Sequence, residues 1–385
     1  MKVLHVSDCI DPSVGGGTAE RTFQLAMALQ RAGEECTILC TDYGLGERRR
    51  AELKNINLIA VPTLFKRFLL PKLCLREIQS LVRDTDLVHV TGHWSVLGAV
   101  VCFFALRLGK PYVYCSAGSL IIFGRSALLK KLYNFIIGVR IVKGASRCIA
   151  VTELECKQFV DYGIDRSKIV LLPNGIHPDH SLVPMPDNFR ARYGLESNCI
   201  LLFLGRLSPI KGPDLLLSAF AKISIMFPTC QLVFAGPDSE LGPSLRSNTK
   251  ANGLSHRVIF TGYLSGQDKE DALAAADLLV VPSRQEAMSL VALEAGLRGT
   301  PVLLTDQCGF DEVERVGGGL VVSVNDDALA SGLQALLSDP ELLARKGSNL
   351  REVVLKSYTW DGLTQNILQL YKELQSDNRS LDNRM

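Results

Sequence analysis

Short apolar runs typical of β-strands alternate with amphipathic helical patterns along almost the whole chain of 385 residues. Such alternation predicts parallel sheets with helices on both faces, because two parallel strands need a crossover connection. Helical patterns such as residues 19–32 lie between the predicted strands. The first set of predicted strands covers residues 3–6, 36–40, 87–90, 112–115, 148–151 and 169–172.

A turn-rich break separates this first set from a second one. Asn174 and Gly175 are followed by Pro178, Pro184 and Pro186, a composition typical of a linker. Helical patterns again intervene between the strands that follow. The second set of predicted strands covers residues 200–205, 231–235, 258–261, 278–281, 301–304 and 320–322, with helices at 213–226 and 268–276.

The two sets predict two consecutive domains, an N-terminal one at residues 1–178 and a C-terminal one at residues 190–360. We expect α/β folds in both, each Rossmann-like and doubly wound, with the two domains facing a central cleft. A chain of this length can form two hydrophobic cores. A last helix is predicted from Trp360 onward, because Leu363 and Ile367 begin a series of apolar residues at helical spacing.

Charge is distributed unevenly, although the net formal charge is only +2. Residues 60–150 contain thirteen Lys or Arg and three Asp or Glu, a local net charge of +10 that leaves −8 for the remainder. Such a local excess predicts a basic face toward an anionic partner, with an ordinary solvated surface as the alternative. The global charge does not indicate nucleic acid, and we expect no nucleic-acid partner.

Cysteine usage and the N-terminus indicate a cellular compartment. Eleven cysteines are scattered without a C-x-x-C pair, and several, such as Cys36 and Cys40, lie in apolar runs. This predicts reduced, buried thiols in a cytoplasmic protein and neither a disulfide framework nor a zinc site. The N-terminus is typical of a first strand and not of a signal peptide. The longest apolar run, residues 96–106, is about half the length that spans a bilayer.

Residues 283–301 read S-R-Q-E-A-M-S-L-V-A-L-E-A-G-L-R-G-T-P and carry two glutamates with seven residues between them. Glu286 follows the predicted strand at 278–281, and Glu294 lies in the helical pattern after it. Open α/β sheets bind ligands where a strand ends and a helix begins. Both carboxylates can therefore face a crevice beyond the strand ends, where they suit a ligand rich in hydroxyl groups.

Two cations flank the loop after the predicted strand at 200–205. Arg206 and Lys211 stand beside a predicted helix start at Pro213, where cations and backbone amides can hold a diphosphate. A pair of surface charges on the loop is the alternative. In combination with the two glutamates, we favour the diphosphate site.

A run of glycines, Gly15-Gly16-Gly17, precedes the first predicted helix. Glycines there let the backbone approach a phosphate or a sugar closely, and a surface loop explains them equally well. The dinucleotide fingerprint G-x-G-x-x-G is absent, which disfavours an NAD-dependent dehydrogenase.

Several motifs follow one another along the chain. They are the glycine run, I-V-L-L-P-N-G-I-H (169–177), G-R-L-S-P-I-K-G (205–212), L-V-F-A-G-P-D (232–238), V-I-F-T-G-Y-L (258–264), the two-glutamate segment and a closing Y-T-W-D-G-L…L-Y-K-E-L. In this order and spacing, they resemble the motifs of the retaining GT-B glycosyltransferases of family 4 (glycosyl transferases group 1), and the resemblance covers nearly the whole chain. The closing motif resembles the family's terminal helix, at about 362–376, which packs back on the first domain.

The resemblance implies a nucleotide-sugar donor held mainly by the C-terminal domain, with no metal and no other cofactor. Arg206 and Lys211 would hold the diphosphate and stabilise the leaving group. Glu294 would bind the ribose hydroxyls, and Glu286 would hold the donor sugar. The other implied donor contacts are the amides of Met288, Ser289 and Leu290 beside the sugar, Tyr263 and Leu264 at the base, and Gly16 and Gly17 over the phosphates.

The chain departs from the family pattern in the N-terminal domain. The family carries a histidine in the turn after the fourth strand, and this chain has Ala117 there. His93, at an adjacent strand end, is a candidate substitute and a candidate catalytic residue, with a structural role as the alternative. His89, inside a strand, is predicted to be a core residue. His177 replaces a common Asp, and Ser289 replaces a common glycine beside the donor sugar, which can alter the choice of sugar.

We therefore expect a retaining glycosyltransferase of hexosyltransferase type that uses a UDP-sugar, UDP being the most frequent nucleotide in the family. Two alternatives remain open. Ala117 motivates a non-catalytic GT-B protein that binds a nucleotide sugar or glycan. A GT-B nucleotide-sugar epimerase is the other, although an epimerase has no need of a basic face for an anionic acceptor.

The acceptor is inferred from residues 119–142, where Leu, Ile, Phe and Tyr are interleaved with basic residues. This composition suits peripheral contact with an anionic membrane, at its inner face for a cytoplasmic protein. An amphipathic core helix with a basic outer face is the alternative. The resemblance implies a glycan or lipid-linked sugar acceptor in polysaccharide biosynthesis. The basic residues are Arg125, Lys130, Lys131 and Arg140.

Overall fold

The computed structural model describes residues 1–122, 126–178, 183–196 and 199–382. The chain forms two compact units. Unit 1 comprises Met1–His177 together with the chain from Trp360 onward, and unit 2 comprises Pro178–Thr359. Each unit has its own parallel sheet and its own core, which confirms the predicted α/β class.

Unit 1 is built on a seven-stranded parallel sheet with the strand order β3-β2-β1-β6-β7-β8-β9. The order reverses between β1 and β6, so this pair of neighbours is the topological switch point. The strands are β1 (Lys2–Val6), β2 (Glu35–Thr41), β3 (Asn57–Val61), β6 (Leu87–Thr91), β7 (Tyr112–Cys115), β8 (Arg147–Ala150) and β9 (Ile169–Leu171). A separate antiparallel hairpin is formed by β4 (Thr63–Phe65) and β5 (Leu70–Pro71).

Helices connect these strands, and the last helix of the chain belongs to the same unit. They are α1 (Pro12–Arg31), α2 (Glu47–Glu52), α3 (Leu75–Arg83), α4 (Val96–Arg107), α5 (Ala127–Tyr133), α6 (Val139–Lys143), α7 (Glu153–Asp161) and α16 (Trp360–Asp382). A π-helical turn, Asn134–Gly138, joins α5 to α6 in one helical run, 127–143. Short 3₁₀ turns lie at Lys66–Phe68 and Arg166–Lys168.

Helix α1 begins earlier than the predicted residue 19, and it includes the glycine run. Asp11 caps the helix by accepting the N–H of Ser13 at 3.0 Å, and Pro12 occupies the first helical position, where its fixed φ and missing N–H fit. The glycines therefore do not all precede the helix: Gly15 belongs to a first helical turn, and the main part of the helix begins after Gly16. Gly16 nevertheless interrupts the helix with a φ of 59°, a conformation that favours glycine.

Helix α16 begins at Trp360 and packs on α1. The buried indole of Trp360 donates its Nε1–H to the Gln24 side-chain oxygen at 2.9 Å, and its backbone N–H donates to the Ile176 carbonyl at 3.0 Å. A Cβ on Gly175 would lie 2.7 Å from the Trp360 ring, so this close approach requires glycine. The end of the segment 169–177 is thus fitted against the start of the last helix.

Unit 2 is built on a six-stranded parallel sheet with the order β12-β11-β10-β13-β14-β15, and its switch point lies between β10 and β13. Strands β13 and β14 are buried along their whole length, which explains why both are continuous apolar runs. The strands are β10 (Ile200–Leu204), β11 (Gln231–Ala235), β12 (Val258–Gly262), β13 (Leu278–Val281), β14 (Val302–Thr305) and β15 (Gly319–Val322).

The helices of unit 2 cover both faces of this sheet. They are α8 (Pro186–Tyr193), α9 (Pro213–Ile223), α10 (Gly242–Ala251), α11 (Gln267–Ala275), α12 (Leu290–Arg298), α13 (Glu312–Arg315), α14 (Asp326–Leu337) and α15 (Pro340–Ser357). A 3₁₀ turn, Pro209–Lys211, follows β10. None of the helices within the described ranges combines the length and apolarity that crossing a membrane requires.

Two features of the sequence were misread. Strand β3 was missed although its residues 58–61 read L-I-A-V, an apolar run; it lies at the edge of its sheet and is only partly buried. The expectation of reduced thiols throughout is wrong for Cys199 and Cys230, which form a disulfide. These two residues immediately precede β10 and β11, whose first residues are paired, so the register brings the thiols together across 31 residues of sequence. Nine described cysteines are free thiols, and eight of them are buried.

Candidate functional site

The loop after β10 is pressed against the end of β13 at the switch point of unit 2. Gly212 has a φ of 68°, and a Cβ at this residue would lie 2.0 Å from the Pro282 carbonyl oxygen. Both the backbone conformation and the lack of space therefore require glycine. The contact sets the 3₁₀ turn Pro209–Lys211 beside the segment that carries Glu286.

Lys211 and Glu286 form an ion pair across these two loops, between Nζ and Oε1. The Glu286 side chain is only 9% exposed, and its other oxygen, Oε2, is buried with no hydrogen-bond partner among the described residues. A buried carboxylate oxygen without a donor is costly. The arrangement therefore leaves one acceptor available for a hydroxyl group of a ligand.

Four more buried polar atoms near this pair in the chain lack hydrogen-bond partners among the described residues. Ser208 follows β10, Ser283 and Gln285 follow β13, and Ser289 is the N-cap residue of α12, although its hydroxyl makes no capping hydrogen bond. Native proteins satisfy nearly all buried polar groups, and exceptions call for an explanation. With Glu286 they form five unpartnered groups at the carboxyl ends of two adjacent strands, which indicates a binding site for a polar ligand.

A salt bridge from Arg284 reinforces the site, and the sequence interpretation did not identify this role. The Arg284 guanidinium binds both carboxylate oxygens of Asp214 at 2.9 and 2.6 Å and donates to the Pro209 carbonyl at 2.6 Å. The Asp214 carboxylate raises the Arg284 pKa through these hydrogen bonds. Arg284 thus fastens the β13 loop to the start of α9. Its place beside Gln285 and Glu286 at a strand end was the available signal.

Glu294 lies in the second turn of α12 and pairs with Lys269 of the neighbouring helix α11, with an Nζ–Oε1 distance of 2.9 Å. Its side chain is largely buried. The sequence interpretation missed Lys269, because it lies more than twenty residues from Glu294 in the sequence. The predicted ribose contact of Glu294 would therefore be made by a carboxylate that already has one cation beside it.

The other predicted donor contacts occupy different environments. Arg206 is exposed, and its guanidinium makes no hydrogen bond or ion pair with the described part of the chain. In the loop after β12, Tyr263 is exposed and Leu264 is buried. Met288 is buried and Leu290 is partly buried.

Backbone amides near the predicted sugar position already donate hydrogen bonds within the protein. The N–H of Ser289 donates to the Cys308 carbonyl at 3.1 Å, and the N–H of Glu286 donates to the Gln307 carbonyl at 2.8 Å. Two of the amides near the predicted sugar position are thus engaged with the loop after β14. The Ser289 hydroxyl, and not its amide, is the group that has no hydrogen-bond partner within the described ranges.

The switch point of unit 1 carries a carboxyl group that the sequence interpretation did not single out. Asp8 follows β1 and accepts the Ser95 hydroxyl at 2.5 Å, while its backbone carbonyl accepts two hydrogen bonds from Thr41. Burial raises the pKa of Asp8 to about 6. Its position directly after the first strand, in V-S-D, was the available signal.

His93 is enclosed in the core of unit 1. Nδ1 contacts the Tyr114 hydroxyl and Nε2 contacts the Asn134 side-chain oxygen, both at 2.6 Å, and burial lowers the His93 pKa to about 4. Aromatic rings, among them Trp94 and Tyr133, surround the imidazole. This placement favours a structural role, because contact with a substrate would require these hydrogen bonds to break.

Ala117, where the family has histidine, has a φ of 47°, an uncommon conformation for alanine. The turn is held by Glu155, a buried carboxylate that accepts the Ser116 hydroxyl at 2.5 Å and the Gly118 N–H at 2.6 Å. The altered turn is therefore rigidly anchored.

Gly17, a predicted phosphate contact, lies in α1 after the Gly16 interruption.

The other two histidines that the sequence analysis singled out have structural surroundings. His89 is fully buried, as predicted for a core residue, and its Nδ1 contacts the hydroxyl of Tyr371 on α16 at 2.5 Å. His177 lies near Arg31 and Asp361 of its own unit. Arg125 lies outside the described residues.

Comparison with known proteins gives matches over both units. Residues 15–180 match the family described as Glycosyltransferase Family 4, and residues 187–353 match Glycosyl transferases group 1. The D-inositol 3-phosphate glycosyltransferase of Nocardia farcinica is 34% identical over 77% of this chain and 68% of its own length. That of Gordonia bronchialis is 29% identical over 96% of this chain and 86% of its own.

Solved structures agree on the fold. The structure of HepE from Anabaena in complex with UDP-glucose superposes with a TM-score of 0.80 at 20% identity, covering 97% of this chain and all of that one. The family matches, the relatives and the two doubly wound units lead to one conclusion. The protein belongs to the family 4 glycosyltransferases and has the GT-B fold.

Proposed function

We propose that this glycosyltransferase moves a hexosyl group, with retention of configuration, from a UDP-sugar to a glycan or lipid-linked acceptor in polysaccharide biosynthesis. The observation that carries the proposal is the cluster of five unpartnered polar groups that includes Glu286, beside the Lys211 ion pair, at the switch point of unit 2. A donor sugar with several hydroxyl groups would satisfy them.

The residues of unit 2 divide the donor between them in this proposal. Glu286 accepts a hydroxyl of the sugar through Oε2, and Glu294 accepts the ribose hydroxyls. Lys211 and Arg206 neutralise the diphosphate as it departs, so the reaction requires neither a metal nor an organic cofactor from the protein. One such preorganised contact lowers the activation barrier by about 3 kcal/mol in other enzymes. The solved complexes of HepE with UDP and UDP-glucose motivate the choice of nucleotide.

The predicted contacts of Tyr263 and Leu264 with the base, and of Gly16 and Gly17 with the phosphates, stay predictions. So does catalysis by His93. We also propose that the protein is cytoplasmic and that unit 1 contacts an anionic membrane peripherally, because the segment 60–150 is strongly basic.

A panel of nucleotide sugars tests the proposal. We expect UDP and one UDP-hexose to raise the melting temperature of the purified protein, and the same UDP-hexose to be hydrolysed slowly in the absence of acceptor. Acceptors to be tested include lipid-linked sugars and D-inositol 3-phosphate, which the names of two relatives specify. Analysis of the product anomer tests retention.

A non-catalytic binding protein is the second candidate, favoured by Ala117 in place of the family histidine. Stabilisation by nucleotide sugars without hydrolysis or transfer, for every donor tested, would replace the proposal with this one. Conversion of the free donor to its epimer would identify an epimerase instead.

A further inference from the structure

Apolar side chains are exposed on four neighbouring elements of unit 1: the β4–β5 hairpin, α3, α4 and the helical run 127–143. We call these elements the basic apolar surface. They carry twelve of the twenty-two large hydrophobic side chains that are exposed among the described residues. Isolated exposed hydrophobic residues are ordinary, but a concentration of this kind marks an interaction site.

The elements of this surface are in contact with one another. Helix α4 packs against α3, against β5 and against α6, and it exposes Phe103 and Leu106 of its own. The crossovers through α4 and α6 join successive parallel strands in the same direction, so their shared right-handedness places both helices on one face of the sheet. Helices α4 and α6 therefore lie side by side on that face, with α3 and the hairpin adjoining α4.

The β4–β5 hairpin forms one part of the surface. Its base is held because Asp42 accepts both the N–H and the hydroxyl of Thr63 at 2.8 Å. The rings of Phe65 and Phe68 stack on each other at its tip, both exposed, with a centroid distance of 5.7 Å. Lys66 lies between them in sequence and is exposed as well. A rigid aromatic tip flanked by cations suits the interface of a lipid bilayer.

The helical run 127–143 forms the other part. Leu128 is 81% exposed and Phe135 is 84% exposed, so neither contributes to the core of the unit. Leu132 is exposed between them, and Lys131 is exposed beside it. The alternative interpretation of this segment as a core helix with a basic outer face therefore fails for these exposed residues, whereas Ile141 and Val142 at the end of the run are buried in the core.

We propose that the basic apolar surface docks unit 1 on an anionic lipid bilayer, with the hairpin tip and the run 127–143 inserted at the level of the headgroups. The inference deepens the membrane contact in the proposed function. Charge complementarity identifies the occupant: the segment that contains the surface has a net charge of +10, and the rest of the chain has −8. A second copy of the chain is disfavoured, because a two-fold interface would bring two such basic surfaces together.

Vesicle sedimentation with the full chain tests the proposal. We expect binding to vesicles that contain phosphatidylglycerol and little binding to pure phosphatidylcholine. Raising the salt concentration from about 0.05 M to about 0.5 M should lower the partition coefficient about ten-fold or more, because the attraction is screened. No binding to the anionic vesicles at low salt would overturn the proposal.

Variants then locate the contact. We expect the pairs Phe65→Ser/Phe68→Ser and Leu128→Ser/Phe135→Ser each to lower the partition coefficient about five-fold or more, since each removes inserted apolar area. The control pair, Ile225→Ser/Met226→Ser, removes exposed apolar side chains from unit 2 and should have no effect. Equal binding by all three variants would overturn the proposed surface. All three variants should have the melting temperature of the wild type, since the replaced side chains are exposed.

Trp94 supplies an independent probe, since Lys130 of α5 lies 5.3 Å from its ring centroid. We expect brominated lipids to quench Trp94 in the Trp360→Phe variant, which leaves Trp94 as the remaining tryptophan of two. A different outcome would be a concentration-dependent dimer of the wild type that the Leu128→Ser/Phe135→Ser variant does not form, together with no quenching of Trp94 by brominated lipids. That result would identify a second copy of the chain as the occupant of the surface and would refute docking on a membrane. Donor binding measured on the same proteins separates a failure of this proposal from a failure of the proposed glycosyl transfer.

Discussion

Lys211 is paired with one carboxylate oxygen of Glu286, and the other oxygen of that carboxylate is buried with no hydrogen-bond partner in the described part of the chain. The pair joins the loop after β10 to the loop after β13, so the same contact links the predicted leaving-group cation to the predicted sugar-binding group. Half of the hydrogen-bonding capacity of Glu286 is used by the protein, and half is available to a ligand.

Replacing Lys211 with alanine should remove the leaving-group cation and leave the Glu286 carboxylate without its ion-pair partner. We expect kcat to fall about 10²- to 10³-fold, as for the loss of one electrostatic transition-state contact. The exposed Lys250→Ala is the matched control. Steady-state kinetics of donor hydrolysis give the measurement, and unchanged turnover in both Lys211→Ala and Glu286→Ala would contradict the assignment of this site.

Removing the unpartnered hydroxyl of Ser289 should have opposite effects on the free protein and on ligand binding. We expect Ser289→Ala to leave the unliganded protein as stable as before or more stable by about 1 kcal/mol, because a buried unsatisfied group is lost. The thermal shift produced by a nucleotide sugar should decrease. Thr305→Val is the comparison, because the hydroxyl of Thr305 does have a partner: it donates to the Ser283 carbonyl at 2.5 Å. Loss of this hydrogen bond should make the unliganded protein less stable. A destabilised Ser289→Ala with an unchanged ligand shift would show that its hydroxyl is structural.

Gly212 and Gly253 provide a matched test of the close loop contact. Both have positive φ values, 68° and 69°, but a Cβ on Gly253 would meet nothing within 4 Å. Alanine at Gly253 should cost about 1 kcal/mol of unfolding free energy, the cost of the left-handed conformation alone. Alanine at Gly212 should cost clearly more, because it also collides with Pro282, and it should reduce activity. Chemical denaturation measures both, and equal losses would refute the steric argument.

Asp8 should make stability depend on pH between its unfolded and folded pKa values. Burial raises the pKa from 3.8 to about 6, so the folded state favours the protonated form. The corresponding stability is fully present below the unfolded pKa and is lost as the pH rises through about 6.

Asp8→Asn keeps an acceptor for Ser95 and removes the ionisation. We expect this variant to gain up to about 3 kcal/mol over the wild type near neutral pH, with the gain disappearing toward pH 4. Thermal unfolding across this pH range measures it, with the exposed Asp161→Asn as control. A constant difference between Asp8→Asn and the wild type at all pH values would exclude titration of Asp8 as the cause.

Much of the architecture follows from local patterns. Strands such as β13 and β14 are buried on both faces, so their continuous apolar runs identify them without any knowledge of their neighbours. Strand β3, which is only partly buried at a sheet edge, was missed although its residues 58–61 are apolar as well. The Cys199–Cys230 disulfide was also missed, because it depends on the register of two strands.

The candidate site likewise has one part that follows from local sequence patterns and another that depends on tertiary contacts. The order of strand ends and helix starts was enough to select Arg206, Lys211, Glu286 and Glu294, because parallel strands bring their carboxyl ends to one edge. Tertiary structure alone decided which of these groups already have partners. Packing enclosed His93 within hydrogen bonds and paired Glu294 with Lys269. Among the residues that the structure describes, it left Oε2 of Glu286 and the hydroxyl of Ser289 without hydrogen-bond partners. The sequence by itself thus determined the strand ends at which a ligand can bind, since periodicity and turn chemistry are local. The availability of each group depends on contacts between residues far apart in the chain, and only the folded structure decides those.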